Sequence, residues 1–120
     1  MNIGIDIIEI NRIKKIVNRN QFFLANIFSE KELGQISGKP CIYSSIAARF
    51  CAKEAFFKCI GTGIRSLNDF KSVEILNNKN GQPEIYLNEF FSKKYENFEF
   101  SVSLSHCKNY ACSVVNSMEK

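Results

Sequence analysis

Asp6, Glu54 and Lys58 are the residues of this 120-residue sequence best suited to chemistry on phosphates. Asp6 stands alone among isoleucines in IGIDIIEI at 3–10, a run with the period-two alternation of a strand. Ile3, Ile5 and Ile7 share one face of that strand, and Gly4, Asp6 and Ile8 share the other. A carboxylate on a half-buried strand is costly without a partner. The candidates are an arginine such as Arg12, a set of backbone N–H groups, or a metal ion. Glu54 and Lys58 are four residues apart and so neighbours on one helix face, together with Ala47 and Cys51. They form either a plain ion pair or part of a working site. Two carboxylates on different elements plus a lysine fit Mg2+, which takes one or two carboxylates and fills its other positions with water and phosphate oxygens.

Other groups invite chemistry less directly. His106 is the only histidine and falls at a strand end, where a packed or surface role competes with a catalytic one. Gly61-Thr62-Gly63 resembles a phosphate loop in composition but follows its helix, at the negative end of the dipole. A helix C-cap accounts for Gly61. Arg12, Lys15 and Arg19 recur at i, i+3 and i+7, a basic stripe that is either solvated or a dock for an acidic helix.

The elements that position these residues are legible as a pattern. Asn11 is placed to cap a helix with the apolar seam Ile13, Ile16 and Val17. In FSEKEL at 28–33, Ser29 and Glu32 spell a capping box, with Phe28 and Leu33 as its staple. Gly38 and Pro40 end that helix. The longest helix is predicted from about Ser45 to Ile60. Strands at 72–77 and 84–88 flank an Asn80-Gly81 turn, and Asn88 caps a short helix that gathers Phe90, Phe91 and Tyr95. Residues 98–105 alternate apolar and polar, and Tyr110 to Val115 return beside them. The fold class is α+β: a mainly antiparallel sheet packed with one long and several short helices, in one domain over 1–120.

Composition excludes more than it selects. A formal charge of +4 from 16 Lys and Arg against 12 Asp and Glu favours an anionic partner but lacks the basic blocks of a nucleic-acid binder. No run approaches the ~20 apolar residues of a membrane span. Five cysteines without a paired CxxC spacing suit reduced thiols in the cytoplasm.

Three motifs carry a family resemblance. GIDIIEINRI at 4–13 resembles the G-x-D-x-x-x-x-x-R-I motif of holo-acyl-carrier-protein synthases, the short class of 4'-phosphopantetheinyl transferases. RFCAKEAFFKCIGTG at 49–63 resembles their central motif, and SLSH at 103–106 their carboxy-terminal one. NGQP at 80–83 is similar to a recurrent turn. The resemblance implies a transferase fold and a single transferase domain. It also implies transfer of phosphopantetheine from coenzyme A to a serine of apo-acyl-carrier protein, in fatty acid biosynthesis. By the same resemblance Asp6 and Glu54 hold Mg2+ and Lys58 meets a coenzyme A phosphate. Arg49, Lys53, Gly61 and His106 line the nucleotide pocket, and Arg12, Lys15 and Arg19 receive the carrier protein. Glu54, His106 or a metal-bound water takes the serine proton. A homotrimer with active sites between subunits is the family's arrangement. Two alternatives compete: a basic adaptor without chemistry, and the same transferase acting on carrier domains of peptide or polyketide synthases.

Overall fold

A computed structural model describes residues 2–120. Its axis is α4 (Ile42–Cys59), the predicted long helix, which starts three residues earlier than expected. Before it come β1 (Asn2–Glu9), α1 (Ile10–Arg19), α2 (Phe23–Ile27) and α3 (Glu30–Ser37). After it come α5 (Asn68–Lys71), the hairpin β2 (Val73–Asn77) and β3 (Pro83–Leu87), α6 (Glu89–Lys94), β4 (Phe98–His106) and β5 (Tyr110–Glu119). Strand order is β1-β5-β4 in a three-stranded sheet, and β2-β3 forms a second sheet, antiparallel throughout.

The capping box opens α3 as expected: Ser29 Oγ accepts from Glu32 N at 3.2 Å, and Glu32 Oε1 accepts from Ser29 N at 3.0 Å. Asn88 caps α6 through Phe91 N at 3.0 Å. Asn11 does not cap α1. The helix begins at Ile10, whose N–H already donates to Asn109 O at 2.9 Å, so β1 passes into the helix without a capping side chain.

Two apolar clusters meet along α4. One joins its first half to α1, α2 and α3 through Ile13, Ile27, Phe28, Ile36 and Ile46. The other joins its second half to β2, β4, β5 and α6. There Phe56, Phe57, Phe91 and Phe100 pack edge-to-face or tilted at centroid distances of 5.1–6.1 Å.

The face of β1 turned to α4 carries Gly4, Asp6 and Ile8, and the opposite face is open. Ile3, Ile5 and Ile7 are 69%, 64% and 65% exposed, on the strand at the sheet's edge. No helix among the described residues is long and apolar enough to cross a membrane, and the five cysteines are free.

Candidate active site

Gly4 sets the approach of β1 to α4. A Cβ there would lie 2.0 Å from Ala55 O and 2.6 Å from Cys59 N, inside the helix backbone itself. Two residues along the same face, Asp6 Oδ1 accepts from Lys58 Nζ at 3.0 Å, and Lys58 also donates to Ile5 O at 3.1 Å. Lys58 therefore pairs with Asp6 across the strand–helix contact and not with its helical neighbour Glu54. Glu54 lines the same cavity of 270 Å3 with Asp6, Arg12, Ile16, Phe50 and Lys58. Burial raises the Glu54 pKa, the Asp6 charge raises it further, and Lys58 works against both. A divalent cation between the two carboxylates would relieve that repulsion. The donor set fits magnesium, which needs only one or two protein carboxylates. No group of three or more acidic, cysteine or histidine ligands exists among the described residues.

Beneath this pair the Cys51 thiol is fully buried, and burial, followed by the Asp6 charge, pushes its pKa well above the ordinary thiol value. Cys51 is thus an inert neutral donor, as its reading as a core residue requires.

Arg49 and His106 belong to a second cavity. Successive α-helical residues turn by about 100°, so Arg49 leaves α4 about 140° around from Glu54. It enters a groove of 760 Å3 between α4, the β2–β3 turn and β4, lined also by Lys39, Asn77, Gln82 and His106. With its oxygen turned to the two cations, the Asn77 amide accepts from Arg49 Nη2 at 3.1 Å and from Lys39 Nζ at 3.0 Å. Arg49 Nε is buried and has no hydrogen-bond partner among the described residues. A buried unpaired donor beside a lysine and a histidine suits an anionic ligand. Burial lowers the Arg49 pKa, with the Glu32 carboxylate opposing. Sequence reasoning missed Lys39, Asn77 and Gln82. The NGQP turn was the available signal, since Gly81, Gln82 and Pro83 all line this groove.

Two expected pocket residues lie elsewhere. Lys53 is corrected outright: it is 0% exposed. Its ammonium donates to Glu32 Oε1 at 2.7 Å, Ile27 O at 2.8 Å and Phe70 O at 2.8 Å, leaving no N–H for a nucleotide. Gly61 lines neither cavity; at φ +84° it ends α4 in the left-handed conformation that a C-cap favours. Of the basic stripe, Lys15 and Arg19 are exposed on α1, but Arg12 and Ile16 line the Asp6 cavity. The seam expected to be core is thus only partly so: Ile13 is fully buried, while Ile16 faces the site.

The whole chain has close relatives. It is 44% identical over 116 residues to a holo-[acyl-carrier-protein] synthase of Chloroherpeton thalassium, covering 96% of this chain and 95% of that one. The Clostridium acetobutylicum enzyme of the same name is 38% identical, covering 91% and 90%. Among solved structures, the Helicobacter pylori holo-[acyl-carrier-protein] synthase in complex with coenzyme A superposes with a TM-score of 0.87 at 33% identity, over 97% and 99% of the two chains. The Bacillus anthracis synthase in complex with CoA (3',5'-ADP) gives a TM-score of 0.80 at 33% identity, over 98% and 95%. The model of the 4'-phosphopantetheinyl transferase superfamily matches residues 2–115, which include the Asp6–Glu54–Lys58 cluster and the Arg49–His106 groove. Sequence and fold agree, and the chain belongs to that superfamily.

Proposed function

We propose that this chain is a holo-[acyl-carrier-protein] synthase over 1–120, moving 4'-phosphopantetheine from coenzyme A to a serine of an apo-acyl-carrier protein and releasing 3',5'-ADP. The observation that carries this reading is the convergence of Asp6, Glu54 and Lys58 on one cavity in a chain of this family. Free cysteines fit a cytoplasmic setting, and fatty acid biosynthesis is the context that supplies such a carrier.

In the reaction the serine oxygen bonds to the β-phosphorus of coenzyme A while the bond from that phosphorus to the bridging oxygen breaks. The serine proton leaves to solvent water, because a protonated Glu54 would give up its hold on a cation. Asp6 and Glu54 would hold Mg2+, which when bound supplies positive charge against the pyrophosphate. Lys58, half exposed, needs only a small rotation from Asp6 to meet a phosphate oxygen. Arg49, Lys39 and His106 suit the nucleotide's anionic groups. Most of the catalysis is positioning and charge neutralisation. Incubation with coenzyme A, magnesium and apo carrier protein tests the reading. Intact mass of the carrier should rise by one phosphopantetheine, and an unmodified carrier would refute it.

A homotrimer accounts for two further observations. Three exposed isoleucines on an edge strand form an apolar strip in need of cover. The two cavities also lie on different sides of α4, so a complete site is assembled when the Arg49–His106 groove of one subunit faces the Asp6–Glu54 cavity of the next. Light scattering should give about three times 13.7 kDa. Ile5→Glu should yield inactive monomers; an active monomeric wild type would sink this arrangement.

The carrier protein is assigned to α1. Arg19 stands beside the 62% exposed Phe22, in a concave surface running from Val17 to Phe22, so an apolar anchor accompanies the charge. Arg19→Glu should lower kcat/KM for the carrier by about thirtyfold, about 2 kcal/mol of lost attraction and new repulsion, with KM for coenzyme A unchanged. Arg12→Glu should impair both substrates because Arg12 lines the metal cavity. Steady-state kinetics with each substrate varied decides; equal losses for both substrates in Arg19→Glu would move the carrier surface elsewhere.

A further inference from the structure

We infer that Lys53 is a positioning residue for the nucleotide groove, acting through its buried ion pair with Glu32 and the strand β2. The inference rests on the transferase reading above and concerns how the groove gets its shape. Lys53 sits one turn beyond Arg49 on the same face of α4. Its three N–H donors go to the last carbonyl of α2, to Phe70 O in α5 and to the Glu32 carboxylate in α3. One side chain thereby fixes three short helices against α4.

Glu32 passes the constraint on. Its Oε2 accepts from Ile75 N at 2.9 Å, so the carboxylate grips the middle of β2. Two residues along, Asn77 is held by its backbone: its N–H donates to Gln35 Oε1 at 2.8 Å, and its carbonyl accepts from Gln35 Nε2 at 3.1 Å. Glu32 and Gln35 are i, i+3 on α3, so one helix face sets the strand. The Asn77 side chain then meets Arg49 Nη2 and Lys39 Nζ. Helix α4 thus places the groove's guanidinium directly, through Arg49, and the opposite wall indirectly, through Lys53, Glu32 and β2. Removing the ion pair frees the wall but leaves Asp6, Glu54 and Lys58 in place on the other side of the helix.

Lys53→Met strands a buried carboxylate and is apt to unfold the protein. The double variant Glu32→Met/Lys53→Met removes both charges and keeps an apolar pair of similar length, so no buried charge is stranded, while the backbone groups of Ser29, Ile75, Ile27 and Phe70 lose these partners. In the folded double variant, calorimetry should show 3',5'-ADP binding weakened by about tenfold or more, with KM for coenzyme A rising in parallel and kcat within about threefold of wild type. A merely structural role would reduce the active fraction, lowering kcat with Kd and KM unmoved, and that result would overturn the inference. So would a folded double variant whose Kd for 3',5'-ADP stays within about twofold of wild type. A wild type without affinity for 3',5'-ADP would instead overturn the transferase reading, and this inference with it.

Discussion

Asp6→Asn and Glu54→Gln should each lower kcat by roughly 100-fold or more while the protein stays folded. The two carboxylates share one cavity, and Lys58 neutralises only one of them. Burial, and after it the like charge of Asp6, raises the Glu54 pKa, so neutralising Glu54 lightens both penalties, and Asp6→Asn keeps an oxygen that can accept from Lys58. The lost function follows from the proposed metal role, in which both carboxylates would hold one divalent cation against the phosphates and each variant removes one of them. Millimolar Mg2+ with 3',5'-ADP should protect wild type against thermal unfolding, and each variant should lose that protection, because a ligand stabilises only what it binds. Circular dichroism, thermal melts with and without magnesium, and single-turnover kinetics measure these separately. Near wild-type turnover by either variant in magnesium would remove the metal from Asp6 and Glu54.

How much of this site the sequence discloses depends on the range of the interactions that build it. Asp6, Glu54 and Lys58 are legible because local periodicity places each on a defined face, and an isolated carboxylate in an isoleucine strand is conspicuous. The capping box at Ser29 and Glu32 and the Asn80-Gly81 hairpin are legible for the same reason, being written within four residues. Lys53 is not legible. It adjoins Glu54 in sequence and looks equally available, yet its partner Glu32 is 21 positions away and its other acceptors are backbone carbonyls at two helix ends. Nothing local distinguishes a lysine that reaches solvent from one enclosed by three short helices.

The open face of β1 is hidden in a different way. Alternation separates Ile3, Ile5 and Ile7 from Gly4, Asp6 and Ile8, but says nothing of what covers the isoleucines. The structure puts the glycine and the aspartate against α4 and leaves the isoleucines outside. An apolar strand face is inside only if the chain's own core is what covers it, and the periodicity of one chain carries no record of a neighbour. Arg49 and His106 are similarly divided from Asp6 by the thickness of one helix. The motif that contains both Arg49 and Glu54 is continuous in sequence, but the helix turns its two functional halves toward different cavities.

Gly4→Ala should be among the most damaging single substitutions in the protein, although it adds one methyl group and touches no substrate. The added Cβ would lie 2.0 Å from Ala55 O and 2.6 Å from Cys59 N, atoms of the α4 backbone with no rotamer to change. Strand β1 must therefore move away from the helix, and the register of β1 on β5 carries Asp6 with it. Overpacking of this kind costs about 1–3 kcal/mol of stability. The catalytic loss should be larger than that figure suggests. Asp6 moves with the strand while Glu54 stays on the helix, and a displacement of about an ångström at a reacting centre can cost about 100-fold in rate. Gly34→Ala provides the control, because a Cβ there meets nothing within 4 Å and the residue lies inside α3. That substitution should leave activity intact and stabilise the helix by about 0.5–1 kcal/mol. Urea titrations and steady-state kinetics on the two variants separate the outcomes. If Gly4→Ala retained wild-type turnover, the close approach of β1 to α4 could not be what places Asp6 beside Lys58 and Glu54.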